Sequence, residues 1–233
     1  TCALPIYSRL ASLEERIQDR TSQLQKELTD RKHAEQALAQ ARQEEMEVEQ
    51  RIEDILLRSP APADLAGVRV GSLSISSQHL AGDFCEFIDF DRRRFDVLVG
   101  DVMGKGAQAA LIGAGIKQLF LKTLGRIIPT EKRQALPSPA WVVSQVHSVS
   151  LHHLTSLESL VTLVYARFAL PAGKMEFIDC CHTQTLIYRH KSNRCEFLRG
   201  ENLPIGFLSS EVYLSRTVDL LPGDVVLFYS DGL

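Results

Sequence analysis

Between Pro5 and Pro60 the chain contains no proline, and its first glycine is Gly67. One heptad frame runs unbroken through residues 10–55. Leu10, Ile17, Leu24, Arg31, Leu38, Glu45 and Ile52 share one position, and Leu13, Arg20, Glu27, Ala34, Ala41, Val48 and Ile55 lie three residues on. Ten of these fourteen are apolar and most residues between them are Glu, Gln, Lys or Arg. That is the pattern of a long coiled-coil helix whose natural partner is a parallel second copy. Arg20, Glu27, Arg31 and Glu45 put charge into the middle of the seam. They weaken it and make a place where register or rotation can respond to strain; a passive solvated spacer is the plainer alternative. Ser59-Pro-Ala-Pro-Ala-Asp64 ends the helix, because proline cannot continue it and constrains the residue before it.

Beyond this break the punctuation changes. Phe95-Asp-Val-Leu-Val99 is a β-branched and apolar run leading into Gly100-Asp101. Three glycines within seven positions then free the backbone before an apolar helix near Ala107. Strand, tight turn and helix start hold Asp101 at a sheet end, beside a helix N-terminus that favours anions, so phosphate chemistry comes first to consideration. A second carboxylate stands in Gly82-Asp83-Phe84 and a third in Phe228-Tyr-Ser-Asp231-Gly232. Any one such pair is ordinary turn chemistry, but three at strand ends suggest one carboxylate cluster. The segment is not a nucleotide phosphate loop, since Val99 and Gly106 stand where that pattern needs Gly and Ser or Thr. No Gly-x-Ser-x-Gly elbow or Cys–His nucleophile pattern supports covalent hydrolysis.

The remaining pattern is of many strands and two helices. Strands are expected at 68–76, at 84–90 and 95–100 as a hairpin with the basic run 92–94 at its solvated tip, and at 161–170, 174–181, 185–190, 194–199, 213–220 and 225–230. A buried helix is expected over 107–124, where Ala109, Ala110, Gly113, Ala114 and Gly115 allow close packing. A second is expected from Ser138-Pro139 to about residue 153. The fold class is α+β. His147, His152 and His153 fall on that second helix with no carboxylate or cysteine at ligand spacing, so surface or capping roles are expected rather than metal binding.

A net charge of −3 gives no electrostatic case for nucleic acid. Five cysteines with no Cys-x-x-Cys spacing argue against a disulfide framework and structural zinc, and fit a reducing cytoplasm. No apolar run approaches the roughly 20 residues of a membrane span.

Gly82-Asp83-Phe84, Val99-Gly-Asp-Val-Met-Gly-Lys-Gly-Ala-Gln-Ala-Ala110, Leu160-Val-Thr-Leu-Val-Tyr165, Leu203-Pro-Ile-Gly206 and Leu221-Pro-Gly-Asp-Val-Val-Leu-Phe-Tyr-Ser-Asp-Gly232 fall in the order and spacing of the SpoIIE-like phosphatases. In these motifs the chain resembles that bacterial branch of the metal-dependent serine/threonine (PPM, type 2C related) phosphatases over about residues 67–233. The resemblance implies two packed antiparallel β-sheets flanked by helices, here preceded by the coiled-coil helix. It further implies that Asp83, Asp101 and Asp231, with the backbone carbonyl of Val102, hold two divalent cations, Mn²⁺ or Mg²⁺, that activate water. The implied substrate is a phosphoserine or phosphothreonine protein, an anti-sigma-factor antagonist of the STAS type. An upstream sensor module in the same chain and a parallel homodimer through the coil complete the implied partners. The alternative function is a catalytically inactive phosphatase-like module that regulates partners by docking.

The domain reading is accordingly 1–6 as a non-native tail matching a translated sequencing adapter, 7–58 as the signalling and dimerisation helix, 59–66 as linker, and 67–233 as the phosphatase domain. Two departures stand out. The family's Ala-Gly-His-x-Pro is here Cys180-Cys181-His182-Thr-Gln184, with His182 expected to be a buried structural residue, and Met103 occupies a position often held by a small residue. The family's late aspartate on a C-terminal strand, and its Glu soon after Asp-Gly, are not present. The domain therefore reads as truncated at its C-terminus, and the 233-residue chain is expected to bind metal poorly and show little phosphatase activity beside an extended, active chain.

Overall fold

The computed structural model describes residues 4–75, 81–127 and 136–231. The chain divides into two units, residues 1–48 and residues 49–233. The first is helix: α1 (Leu4–Leu56) takes in Leu4 to Ile6 of the expected tail, with Pro5 in the first turn where proline is tolerated, and runs on without a break, as the absence of Gly and of any further Pro dictates. Arg31–Glu35 at 3.0 Å and Gln40–Glu44 at 3.0 Å pair along its solvent face one turn apart.

The last turns of α1, from Glu49, belong to the second unit. There Ile52 packs against the core, Leu57 just beyond the helix is fully buried, and the Leu57 carbonyl accepts the Cys85 N–H at 2.8 Å. The elements that follow are β1 (Phe84–Asp91), β2 (Arg94–Val102), α2 (Ala107–Ile127), α3 (Pro139–Ser156), β3 (Val161–Ala169), β4 (Lys174–Cys180), β5 (Thr185–Arg189), β6 (Arg194–Leu198), β7 (Arg216–Asp219) and β8 (Val225–Leu227). One antiparallel sheet has the order β1-β2-β3-β4-β7 and a second the order β6-β5-β8. The hairpin of β1 and β2 turns at Arg92-Arg93, where the Asp91 carboxylate takes the Arg93 N–H and pairs with Arg94.

Side chains alternate across the larger sheet as the pleat requires. Leu98, Val102, Val161, Leu163 and Tyr165 face α2 and α3. Phe95, Val97, Ala166 and Phe168 face the smaller sheet and meet Ile187, Val226 and Phe228; Phe95 and Phe168 stack with ring centroids 4.7 Å apart. The helix face also buries charge. Arg167 grips Asp96 through Nε at 2.8 Å and a second nitrogen at 2.7 Å, Tyr165 donates to the same carboxylate, and Arg167 also donates to the Pro137 carbonyl just before α3. This cluster ties the start of α3 to the centre of the sheet. Ser138 caps α3, its Oγ accepting the Trp141 N–H.

Three expected strands differ, that at 225–230 being strand only over Val225–Leu227. Residues 67–75 form no ladder: Val68 and Val70 lie against the core between the sheets, but Leu73 and Ile75 point to solvent, so the alternation serves packing and not pairing. Ser76 lies outside the described residues. The strand expected at 213–220 is only β7, because Leu214 N–H is taken by the Asn202 side chain at 2.7 Å and Ser215 donates to Glu176 at 2.6 Å before the ladder begins. Among the described residues no helix is long and apolar enough to cross a membrane.

Candidate metal centre

Asp83 is the residue before β1, Asp101 is next to last in β2, and the register Phe84↔Gly100 brings the two strand ends together. Asp231 follows β8 on the other sheet. The three carboxylates converge at the same end of the sandwich, each offering an oxygen within 4.8 Å of the others. By alternation Asp101 shares the face of Val97 and Val99, toward the smaller sheet, which is why a residue from β8 can reach it.

Backbone crowding explains the flanking glycines. A Cβ at Gly82 would lie 2.6 Å from the Val102 carbonyl oxygen, so Gly82 lets the chain carrying Asp83 run against the end of β2. A Cβ at Gly100 would strike the Phe84 ring at 2.5 Å. Gly104 and Gly106 instead have φ of +110° and +83°, which only glycine adopts without strain, and their surroundings are open.

The electrostatics fit a cation. Burial, followed by the negative charges of Asp83 and Asp231, raises the Asp101 carboxyl to about 6, against a smaller lowering by the Val102 backbone. Among the described residues no Lys or Arg forms an ion pair with Asp101 or Asp231. Three hard anionic oxygens held together at that cost suit a divalent cation.

The histidines divide. His152 and His153 are exposed, while His147 is buried, its Nδ1 accepting the Gly206 N–H at 3.3 Å with the Tyr213 hydroxyl 3.0 Å away. His182 stands beside the cluster. Its Nδ1 lies 3.1 Å from the Thr162 hydroxyl, its backbone N–H donates to Asp179 at 2.9 Å, and burial lowers its pKa against the raising effect of Asp179, Asp231 and the Tyr229 backbone. Met103 is half exposed, and its backbone N–H donates to the Leu160 carbonyl at 2.9 Å. Thr162 lies in Leu160-Val-Thr-Leu-Val-Tyr165 and Thr183 follows His182 in Cys180-Cys181-His182-Thr-Gln184, but neither is a candidate site residue on sequence alone. The one local signal for Thr162 is a hydroxyl interrupting the apolar run Leu160–Val164.

A family model described as stage II sporulation protein E (SpoIIE) matches residues 91–233, more than half of the chain. The chain belongs to the SpoIIE family. Asp101, Val102 and Asp231 lie inside the matched span and Asp83 eight residues before it. Two curated relatives from Bacillus subtilis (strain 168) resemble this SpoIIE-family chain. The phosphoserine phosphatase RsbU is 23% identical over 193 residues, covering 81% of this chain and 53% of its own length. The phosphoserine phosphatase RsbP is 22% identical over 190 residues, covering 81% and 45%. The chain thus spans about half the length of the curated relatives it matches. Among solved structures, the PP2C phosphatase domain of SpoIIE from Bacillus subtilis, with a fragment of its regulatory domain, superposes with a TM-score of 0.53. It is 21% identical and covers 65% of this chain and 41% of that one, a likeness of fold.

Proposed function

We propose that this SpoIIE-family protein is a metal-dependent protein serine/threonine phosphatase, and the observation that carries the reading is the convergence of Asp83, Asp101 and Asp231 from two sheets. The carboxylates would hold two divalent cations, Mn²⁺ or Mg²⁺, with the Val102 carbonyl beside Gly82 completing the oxygen donors. Bound there, the cations would supply an activated water and neutralise charge on the phosphoryl group. The chain's own residues fix Asp83 and Asp101 at the adjoining ends of β1 and β2 and carry Asp231 on the segment beyond β8, and the open loop of Gly104 and Gly106 leaves the approach clear for a phosphorylated side chain. The names of RsbU and RsbP support phosphoserine as the target. The proposed protein substrate is an anti-sigma-factor antagonist of the STAS type in the bacterial cytoplasm.

In this reading residues 67–233 are the output domain, 59–66 the linker, and 7–58 a parallel dimerisation helix coupling an upstream sensor to the helix that begins at Ala107. Asp101→Asn in the full-length protein is expected to abolish Mn²⁺-dependent hydrolysis of a phosphoserine peptide and of para-nitrophenyl phosphate. Undiminished turnover would overturn the assignment.

A further inference from the structure

The two sheets that carry the centre must be held in register where they deliver their carboxylates, yet the pairing that would do so has run out there. β8 pairs with β5 only over Val225–Leu227, and Asp231 lies four residues past its end. Phe228 is fixed by its packing on Phe168 at 6.3 Å. Residues 229–231 need another anchor.

The turn at residues 181–184, between β4 and β5, provides one. Thr183 donates its hydroxyl to the Tyr229 carbonyl, two residues before Asp231. The neighbouring His182 places Nδ1 3.1 Å from the Thr162 hydroxyl, and Thr162 is the cross-strand partner of Asp101. The turn itself is pinned from behind. Asp179, almost fully buried, accepts the His182 N–H at 2.9 Å with one oxygen and the Gly200 N–H at 2.8 Å with the other. Two consecutive side chains thus tie the turn to both sides of the centre, His182 to the strand beside Asp101 and Thr183 to the segment carrying Asp231.

We propose that His182 and Thr183 are positioning residues of the carboxylate centre, the Thr162–His182 and Thr183–Tyr229 links together setting the separation of Asp101 from Asp231. The hydroxyl of Thr162 both donates and accepts, so the first link holds with either tautomer of His182. The inference rests on the proposed reading of the three aspartates as metal ligands. Outer hydrogen-bond partners of metal ligands characteristically change affinity by about 10–100-fold when removed.

The test uses the full-length protein with Thr162→Val, His182→Phe, Thr183→Val and Thr183→Ser, the first three removing one link each and the last keeping the hydroxyl. Mn²⁺ is titrated calorimetrically, and melting of the metal-free proteins is followed in parallel. Thr162→Val and Thr183→Val are expected to weaken Mn²⁺ binding at least about tenfold while the metal-free melting temperature stays close to the parent's. Thr183→Ser is expected to restore the affinity. Combining Thr162→Val with His182→Phe should be no worse than the weaker single variant, since both break one link. Parent-like affinity in both valine variants overturns the inference and leaves the metal centre standing, as does a loss that serine fails to restore. A parent protein that takes up no Mn²⁺ overturns the metal centre and this inference with it.

Discussion

Cys181 has φ of +56°, in the left-handed region, where the SpoIIE-like motif places glycine. A side chain costs about 1–2 kcal/mol in that conformation. Glycine would relieve this and would in turn give back about 0.4–1 kcal/mol through a freer unfolded chain, besides losing the weak Cys181 thiol contact to the Asn202 carbonyl at 3.3 Å. Cys181→Gly is therefore expected to stabilise the protein by less than about 1 kcal/mol, read by denaturant titration. A clear destabilisation would mean that the thiol contact outweighs the strain. Asp101 poses the opposite trade. Its folded pKa, raised to about 6, lies above its ordinary value, so it contributes stability fully present below about 4 and lost as pH rises through about 6. Metal-free protein should thus lose stability between those pH values. Asp101→Asn should remove that loss and raise the neutral-pH melting temperature of the metal-free protein even as it abolishes activity. Proton competition should also weaken Mn²⁺ binding in the parent as pH falls below about 6.

At the scale of elements, the ion pair of Asp96 and Arg167 joins β2, β3 and the entry to α3. Arg167→Met leaves Asp96 buried and uncompensated, and the expected cost is about 3–5 kcal/mol by thermal or chemical denaturation. Replacing Asp96, Tyr165 and Arg167 together by apolar residues of similar volume should cost far less, because no charge is then stranded. A small loss in Arg167→Met would show that Tyr165 alone satisfies the carboxylate. Neither this cluster nor the His182 links could be read from sequence, since Asp96 and Arg167 are 71 residues apart and look like the polar phase of alternating strands. The hairpin of β1 and β2, α2 and the strand-end aspartates were legible because each combines a local period with its own turn or cap chemistry. The strand expected at 68–76 misled for the same reason: Val68 and Val70 alternate, but pairing also needs a partner edge, and a single sequence does not display one. The short β7 likewise depends on Asn202, a competitor for backbone groups that lies outside the strand.

Across the whole molecule, the long helix raises the question of what covers its seam. Leu13, Ile17, Leu24, Leu38 and Val48 expose between 46 and 63% of their surface. Single-turn pairs such as Arg31–Glu35 contribute only about 0.2–0.5 kcal/mol each, too little to hold a helix of 53 residues in water by themselves. A heptad of this length gains most by packing its apolar positions against a second copy. The proposed parallel dimer places Arg20, Glu27, Arg31 and Glu45 in that seam, where each must approach its own counterpart or reach around to a flanking charge. A seam so weakened can exchange between registers at small cost, as a signal-bearing linker requires, whereas an all-apolar seam would settle in one. The full-length protein is expected to sediment as a dimer at micromolar concentration. Replacing those four residues by Leu should raise the dimer's melting temperature and fix phosphatase activity at one level regardless of input. If the variant dimer is more stable but activity still follows the input, the coil is a spacer and regulation enters elsewhere. If the parent sediments as a monomer even at high micromolar concentration, the exposed seam has some other partner and the dimer proposal fails.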